Sequence, residues 1–406
     1  EAWAASDESA KMPWQTVRYR MDGDQKYGLT IWNEFRIGML RAGEVLLDDI
    51  SVVRDPDGDA QELIQNGSFD ADPGDDTWRI LGNHRHSVVM PDPDNGGNQV
   101  LHLIATGSTD TRHNHLETTF VDNTALIGSQ IYEVSYRARW LAGSNQLNTR
   151  GYYQKIARTT ALERPEFSGT PGAANSHRED NIGPTYTGLR HEPAIPGENA
   201  PVTVYVNVSD SDGLGNFALR AKVDGEDTVN TYTFAVDGNG HGKGTLPGQS
   251  AGTVVQFWIE AADILGATSM IPAGGPEARA LFQVEDGRGI DLPAHELRVI
   301  MLDSDSDFMH DRFNLMSNEQ LGGTAVYNGA EVFYDVGVRL RGSGAGRARD
   351  GNDFRGFRVS FPADHLFRGV HGSVGMDRSG RAPSAKRQDE IYVKHTGQTL
   401  EVIEQT

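Results

Sequence analysis

Short runs in which apolar and polar residues alternate recur along most of the chain. A period of two places successive side chains on opposite faces of an extended segment, so each run predicts a half-buried β-strand. Clear runs lie at residues 16–20, 44–53, 131–139, 202–208 and 254–263, and turns rich in glycine and aspartate separate them. No long stripe of apolar residues at helical spacing is present in the sequence. The pattern therefore predicts a mainly β protein.

The second half of the chain begins with evenly spaced strands. The 406 residues exceed what one compact core accommodates, which favours several domains. Four alternating runs and three Asp- and Gly-containing turns fall within residues 201–287, a spacing typical of an immunoglobulin-like sandwich. Residues 161–200 are rich in glycine and proline and predict a linker before it.

Two motifs in the first half resemble the jelly-roll carbohydrate-binding modules. Residues 66–70 read NGSFD, which is similar to the opening of such modules, and residues 47–52 read LDDISV, which is similar to their ending. The resemblance implies that residues 1–58 are the C-terminal part of one jelly-roll module and that residues 61–160 form another. Trp140, Tyr152 and Tyr153 then have two interpretations, a sugar-stacking platform or core aromatics of a sandwich.

The amino-acid composition limits which binding partners and which cysteine-dependent chemistry the chain can have. A formal charge of −20 argues against nucleic acid or an anionic membrane as partner of the whole chain, because phosphates would be repelled. The absence of cysteine excludes disulfides and thiolate ligands and fits an exported bacterial protein. The sequence has no stretch of 18 apolar residues and begins at Glu1 without a signal peptide, so we expect a piece of a longer exported chain.

The charge balance reverses locally near the end of the chain. Residues 336–395 contain twelve arginines and lysines against six acidic residues. Such a cationic region in an acidic protein predicts either an anion site or a solvated arginine-rich face. The glycine-rich segment 342–346 lies between two predicted strands, where backbone N–H groups can approach phosphate oxygens and flanking arginines can add bidentate contacts.

The same region resembles the spore-coat CotH kinase-like family. The similarity rests on FYDVGVRLRGSGAGR at residues 333–347, on FRVSF and LFRGVH further along, and on DRSG, QDEI and KH up to residue 395. It implies an incomplete α+β kinase-like domain over residues 296–406. The residue pattern itself predicts a short amphipathic helix at 308–321 within this region. The predicted fold class is thus mainly β, with tandem jelly-roll or β-sandwich modules, an immunoglobulin-like sandwich and this α+β domain.

The resemblance also implies a nucleotide site. Its residues would be the loop with its flanking arginines, a basic residue on the next strand and an orienting carboxylate: Arg341, Gly342, Ser343, Gly344, Gly346, Arg347, Arg358 and Glu390. Arg358 departs from the lysine typical of the family. The chain ends at Thr406 before any segment that would supply Mg²⁺-binding aspartates, so we expect Mg·ATP to bind only in a complete domain and this chain to be catalytically inactive.

Histidines and aspartates supply candidate metal ligands. His113, His115 and Glu117 have period-two spacing, so a strand would place all three on one face, a geometry that suits zinc, nickel or copper; the alternative is a solvated sheet face. Asp48–Asp49 and the pair Asp210 and Asp212 are candidates for Ca²⁺ in a β module, although turn capping explains them equally well.

Two functions follow from these patterns. One is an exported, extracellular or cell-surface protein that binds surface glycans or serves as a scaffold for surface and coat proteins, without nucleic acid as a partner and without a membrane-spanning segment. The alternative is an ATP-dependent protein kinase of coat or surface proteins when the kinase-like domain is complete.

Overall fold

The computed structural model describes most of the chain: residues 12–23, 33–70, 77–108, 113–151, 155–165, 179–287, 297–342, 347, 356–377, 388–393 and 398–403. The described residues form 26 strands and one α-helix, as the mainly β pattern predicted. The chain divides into two compact units. The first comprises residues 1–173 with Met316–Glu319, and the second comprises residues 174–315 with 320–406.

The first unit contains eleven strands. They are β1 (Gln15–Asp22), β2 (Glu34–Met39), β3 (Gly43–Arg54), β4 (Gln61–Glu62), β5 (Trp78–Ile80), β6 (Val88–Asp92), β7 (Asn95–Ala105), β8 (Leu116–Thr119), β9 (Ile131–Gly143), β10 (Gln146–Gly151) and β11 (Lys155–Ala161). One sheet has the order β1-β9-β3-β7-β6 with β4 beside β3, and the other has the order β11-β10-β2-β8-β5.

The two sheets of the first unit share one core. Alternate residues of each strand, such as Phe35 and Ile37 on β2 and Val45 and Leu47 on β3, are fully buried in one cluster. The intervening residues point away from this cluster, because successive side chains of a strand lie on opposite faces. The unit is therefore a β-sandwich.

The predicted boundary between residues 58 and 61 is wrong. β1 pairs with β9, β3 pairs with β7 and β9, and β2 pairs with β8 and β10, so strands from both sides of the boundary alternate within the same sheets. The LDDISV motif lies on the central strand β3 rather than at the end of a separate module. The reason is that strand partners are chosen over long sequence separations, which local motifs do not report.

The second unit begins with a sandwich built from one continuous sheet. Its strands are β12 (Thr185–Glu192), β13 (Val202–Ser209), β14 (Leu214–Val223), β15 (Val229–Val236), β16 (His241–Leu246), β17 (Val254–Asp263), β18 (Thr268–Ile271) and β19 (Leu281–Gln283). The order is β12-β13-β16-β15-β14-β17-β18, with β19 also beside β17. Tyr186 Oη on β12 lies 2.7 Å from Ser269 Oγ on β18, so the sheet curls until its ends meet around one core.

The linker predicted at residues 161–200 is shorter than expected. β11 extends to Ala161, and β12 occupies Thr185–Glu192 in register with β13. Glycine at 188 and the Glu192-Pro193 sequence made this segment look irregular, but Gly188 has φ of +67° at a register shift where β12 bends, a conformation that suits glycine.

The remaining part of the second unit is a closed barrel. Its elements are β20 (Leu297–Ile300), α1 (Asp303–His310), β21 (Leu321–Tyr327), β22 (Glu331–Arg341), β23 (Gly356–Ser360), β24 (Ser373–Asp377), β25 (Gln388–Val393) and β26 (Gln398–Ile403). The order is β20-β21-β22-β23-β24-β26-β25, and a parallel β20–β25 pair closes it. The helix predicted at 308–321 is instead the eight-residue α1, which ends at His310, and β21 begins at Leu321.

The sandwich and the barrel pack together within the second unit. A small apolar cluster joins Val254 and Leu281 of the sandwich to Ile300 and Val326 of the barrel. The Arg279 guanidinium Nε lies 2.7 Å from Asp305 Oδ2 on α1. No helix in the described part of the chain is long and apolar enough to cross a membrane.

Candidate functional site

A row of charged residues crosses the face of the five-stranded sheet that points away from the core. Arg79 on β5 lies opposite Glu117 on β8, Glu117 lies opposite Arg36 on β2, and Arg36 lies opposite Arg150 on β10. Their neighbours along the strands, such as Ile37 and Leu116, belong to the core. Because side chains alternate along a strand, the four residues share the other face. We call Arg79, Glu117, Arg36 and Arg150 the charged row.

Glu117 is the centre of the charged row and is only 3% exposed. Its Oε1 accepts a hydrogen bond of 2.9 Å from Arg79 Nε, and its Oε2 lies 3.0 Å from Arg36 Nε. His115 Nε2 lies 2.8 Å from the same Oε2 and therefore carries the proton that it donates. Glu34 lies beside this group, with Oε1 3.3 Å from Arg79 Nη2.

The protonation states of the charged row are fixed by its surroundings. Burial opposes the charge on Glu117, but the hydrogen bond from His115 and the charges of Arg36 and Arg79 outweigh it and lower the pKa to about 2. Burial lowers the pKa of His115, which is neutral at pH 7. Burial, together with the Glu117 charge, raises the pKa of Glu34. A buried carboxylate is thus held ionised by two guanidinium groups.

Arg150 completes the charged row with an excess of positive charge. Burial and the neighbouring Arg36 charge lower its pKa. Its Nε donates a hydrogen bond of 2.8 Å to Asn148 Oδ1 on the same strand. Like charges directly opposite each other on adjacent strands are unfavourable unless a further group compensates them. Three arginines face two carboxylates here, because Glu34 also lies beside Arg79 and Arg36. The remaining excess of positive charge suits a ligand that is rich in hydroxyl groups and carries negative charge.

The strand geometry expected for the metal ligands His113, His115 and Glu117 is wrong. β8 begins only at Leu116, and His113 lies before it with φ of +63°, outside the extended region. His113 Nδ1 accepts a hydrogen bond of 3.2 Å from the backbone N–H of Met316. In the described ranges, the close group of three metal-ligand side chains lies elsewhere, at Asp210, Asp212 and Asp263.

The side chains of Trp140 and Asp48 make packing contacts and hydrogen bonds within the first unit. Trp140 lies on β9 in the six-stranded sheet, packs partly buried against the core, and its Nε1 donates a hydrogen bond of 3.2 Å to the Gly143 carbonyl. This matches the core interpretation for Trp140, whereas Tyr152 and Tyr153 lie outside the described residues. The Asp48 carboxylate accepts hydrogen bonds from the Asp49 N–H and the Asn98 amide and lies 3.3 Å from Arg137 Nη1.

The residues predicted to bind nucleotide are described only in part. Ser343, Gly344 and Gly346 lie outside the described residues, and for Glu390 only the backbone on β25 is described. Arg341 is the last residue of β22 and Gly342 follows it. Arg347 Nε donates a hydrogen bond of 2.7 Å to the Gly342 carbonyl. The nucleotide site stays a prediction.

Two arginines meet on the outer face of the barrel. Arg358 on β23 lies directly opposite Arg339 on β22, and its Nη2 donates a hydrogen bond of 3.1 Å to Ser373 Oγ. Burial, and then the Arg358 charge, lower the pKa of Arg339. Because Arg339 and Arg341 alternate with the buried Val338 and Leu340, they point away from the barrel core.

The sequence suggested Asp210 and Asp212 as calcium ligands but missed Asp263. Single carboxylate oxygens of these three residues all lie within 4.8 Å of one another. Asp210 and Asp212 follow β13, while Asp263 is the last residue of β17. β14 pairs with β17, with Leu214 opposite Asp263, and this pairing brings the two ends together. Only a prediction that β14 pairs with β17 would have placed Asp263 beside Asp210 and Asp212.

Comparisons with known proteins find no family model and no curated protein that match the chain. Among solved structures it is similar to a DUF4785 family protein from Legionella pneumophila subsp. pneumophila, at 9% identity and a TM-score of 0.18, over 82% of this chain and 71% of that one. It is also similar to pullulanase from Bacillus acidopullulyticus, at 13% identity and a TM-score of 0.17, over 70% of this chain but only 36% of the enzyme. TM-scores this low carry no argument about function.

Proposed function

We propose that this chain is an exported bacterial surface protein whose first sandwich binds an acidic glycan at the charged row and whose other β modules act as a scaffold. The observation that carries the proposal is the ionised Glu117, 3% exposed, among arginines on the sheet face away from the core. An ion pair that serves stability alone gains little from such burial, because desolvation offsets the attraction between the charges.

The charged row matches the chemistry of sugars. The guanidinium groups present parallel N–H donors, which can bind adjacent hydroxyl groups or a carboxylate of a sugar ring. The buried Glu117, whose oxygens contact Arg79, Arg36 and His115, orients these arginines before any ligand arrives, which lowers the entropy cost of binding. The three arginines favour a sugar that carries a carboxylate, such as a uronate.

Binding of polygalacturonate and of a neutral β-glucan to the full chain tests this proposal. We expect polygalacturonate to bind more tightly, and Arg150→Ala to weaken that binding at least about tenfold, since a charge-assisted contact is worth more than 1 kcal/mol. Arg18→Ala is the matched control, because Arg18 lies on β1 of the other sheet with a side chain 65% exposed. Failure of the wild type to bind either polysaccharide, or equal binding by Arg150→Ala, contradicts the proposal.

A second candidate function is binding of a phosphate-bearing ligand at the barrel. The observation that favours it is the pair Arg339 and Arg358, two like charges directly opposite each other on adjacent strands. Phosphate oxygens are good partners for such a pair. Calorimetry with Mg·ATP tests it: we expect weak binding that Arg358→Ala abolishes, with a Kd no tighter than about 1 mM, or about −4 kcal/mol, and without transfer of labelled phosphate. Transfer of the label would favour the kinase alternative instead.

A further inference from the structure

Asp263, at the end of β17, has an unusual carboxylate. The residue is 4% exposed. Its Oδ1 accepts hydrogen bonds from the backbone N–H groups of Leu265, at 2.8 Å, and Ala267, at 2.9 Å. Its Oδ2 is buried and has no hydrogen-bond partner among the described residues. Turn capping therefore explains one oxygen of Asp263 and leaves the other without a role, although buried polar atoms in folded proteins normally have partners.

The carboxylates of Asp210 and Asp212 lie beside Asp263. Asp210 Oδ1 accepts a hydrogen bond of 2.7 Å from the Asp212 N–H, which fixes the turn after β13. The Ile264 N–H donates to the Gly213 carbonyl at 3.1 Å, which joins this turn to the end of β17. Among the described residues, no lysine, arginine or histidine forms an ion pair with any of the three aspartates. Three carboxylates are thus held together by backbone contacts without a compensating cation from these residues.

Asn181 lies beside the three aspartates. Its side-chain N–H donates a hydrogen bond to the Asp263 carboxylate, so it acts there as a donor and not as a further ligand oxygen. The segment that carries it is fixed against β18, because a Cβ at Gly183 would lie 2.4 Å from the Thr268 carbonyl carbon. The buried oxygen of the three aspartates that has no partner among the described residues is therefore Asp263 Oδ2.

We propose that Asp210, Asp212 and Asp263 bind a calcium ion. The donor set consists only of carboxylate oxygens, which are hard ligands that suit Ca²⁺ and not the soft or nitrogen-rich sites of zinc and copper. Mg²⁺ requires a smaller octahedral arrangement and dehydrates reluctantly, so Ca²⁺ is preferred where several protein oxygens converge. The cation would occupy the position that satisfies Asp263 Oδ2.

The site would join two separate parts of the sandwich, and Asn181 connects it to a third. The Asp210–Asp212 turn follows β13, Asp263 ends β17, and Asn181, which precedes β12, donates to Asp263. A bound Ca²⁺ would thus fix the start of β12 against the end of the sheet to which Tyr186 Oη already reaches at Ser269. Calcium would control how firmly the first strand of the second unit is held. This inference is independent of the proposed glycan site.

Three measurements on the full chain, freed of metal with a chelator, test the site. Tb³⁺ luminescence reports binding, thermal unfolding with Ca²⁺ or Mg²⁺ reports stabilisation, and hydrogen exchange locates the effect. We expect Ca²⁺ to raise the melting temperature of the second unit and to slow exchange in peptides covering residues 181–186, 210–214 and 263–268. Mg²⁺ at equal concentration should do less.

Asp212→Asn is the test variant, because Asp212 is exposed and its loss should leave the fold intact. We expect Ca²⁺ affinity to fall at least about tenfold in Asp212→Asn, since it loses one of three charged ligands. Asp237→Asn is the matched control: Asp237 Oδ1 caps a turn in the same way, accepting the Asn239 N–H at 2.8 Å, but lies outside the group. A wild type that ignores millimolar Ca²⁺ overturns the proposal, as does equal Ca²⁺ affinity in Asp212→Asn and the wild type.

Discussion

At the scale of single residues, Glu117 illustrates how a charge is kept inside a β protein. Its neighbours Arg36 and Arg79 are brought to it by strand register, and His115 donates from the preceding turn. Removing one member of such a group leaves the others buried without compensation, which costs more than the group contributes as a whole. The residue is therefore sensitive to change even though it lies outside the apolar core.

We expect Glu117→Gln to lower the free energy of unfolding of the first unit by about 3 kcal/mol, because two guanidinium groups lose their carboxylate. Chemical denaturation followed by tryptophan fluorescence measures the change. Asp57→Asn is the control, since the Asp57 side chain is 76% exposed in its pair with Arg20 and its loss should change stability by less than about 0.5 kcal/mol. Similar effects of the two substitutions would contradict a special role for Glu117.

His84 gives the first unit a dependence on pH. Its Nε2 accepts a hydrogen bond of 3.1 Å from the Met39 N–H, so the neutral ring carries its proton on Nδ1, which donates to Asn83 Oδ1 at 2.6 Å. Burial lowers the pKa of His84 to about 3. Below pH 6.5 the His84 imidazole therefore becomes protonated in the unfolded chain but stays neutral in the folded chain. The free energy of unfolding falls as the pH falls.

The expected slope is about 1.4 kcal/mol per pH unit between about pH 6 and pH 4, for each such histidine. Urea denaturation at several pH values measures it. In His84→Gln the first unit should lose this part of its pH dependence, since Gln does not titrate, whereas the control His241→Gln changes an exposed residue and should not alter it. An unchanged slope in His84→Gln would show that other groups cause the effect.

At the scale of elements, His191 connects β12 to the barrel. Its Nε2 lies 3.1 Å from the Ala194 carbonyl and must carry the proton, so Nδ1 accepts from Tyr334 Oη on β22 at 2.6 Å. Burial lowers the pKa of His191 to about 4, which keeps the ring neutral at pH 7. The bond thus links the sandwich to the barrel within the second unit.

Tyr334→Phe should destabilise the second unit by about 1 to 2 kcal/mol, because a buried histidine nitrogen loses its donor. Sandwich and barrel should still unfold in one transition, since the apolar cluster around Ile300 and the Arg279–Asp305 pair also join them. Calorimetry and hydrogen exchange test both statements. Tyr232→Phe is a control in the same unit, on β15. Separate melting of sandwich and barrel would refute the coupling.

The elements themselves show what a sequence can and cannot predict. β13 and β17 are long alternating runs, and the structure confirms them as strands within a residue of the predicted limits. β12 was missed because glycine and proline weaken its pattern, and α1 was misplaced because Asp303 to Asp307 are polar. The charged row was missed for another reason: it exists only once β5, β8, β2 and β10 are in register, and pairing is a non-local property.

At the scale of the whole molecule, the unit boundary defines where the chain can be divided. The main part of the first unit ends at Ala173 and the second unit begins at Ala174, within the segment that is rich in glycine and proline; Met316–Glu319 also belong to the first unit. Each unit has its own hydrophobic core. A boundary with its own linker composition is a preferred site of cleavage, since few native contacts need to be broken there.

We expect limited proteolysis to cut first between residues 165 and 178, giving two fragments that resist further digestion. Mass spectrometry of the early products identifies the site. The strands β13 to β17 should be protected, because their backbone groups are paired within the sandwich. First cleavage within residues 202–262 would contradict the assignment of those residues to one stable sandwich.

The pairing of β1 with β9 has a consequence for how the first unit acquires its structure. Gln15 on β1 lies opposite Ala138 on β9, so β1 pairs with a strand that is more than a hundred residues away in the sequence. Proteins dominated by such distant contacts fold slowly, because the entropy cost of closing a long loop precedes the stabilising contacts. On a ribosome the earliest strands must remain unpaired until most of the unit has been synthesised. Apolar side chains and unpaired strand edges are exposed during that interval, so we expect the nascent first unit to aggregate readily and to bind chaperones.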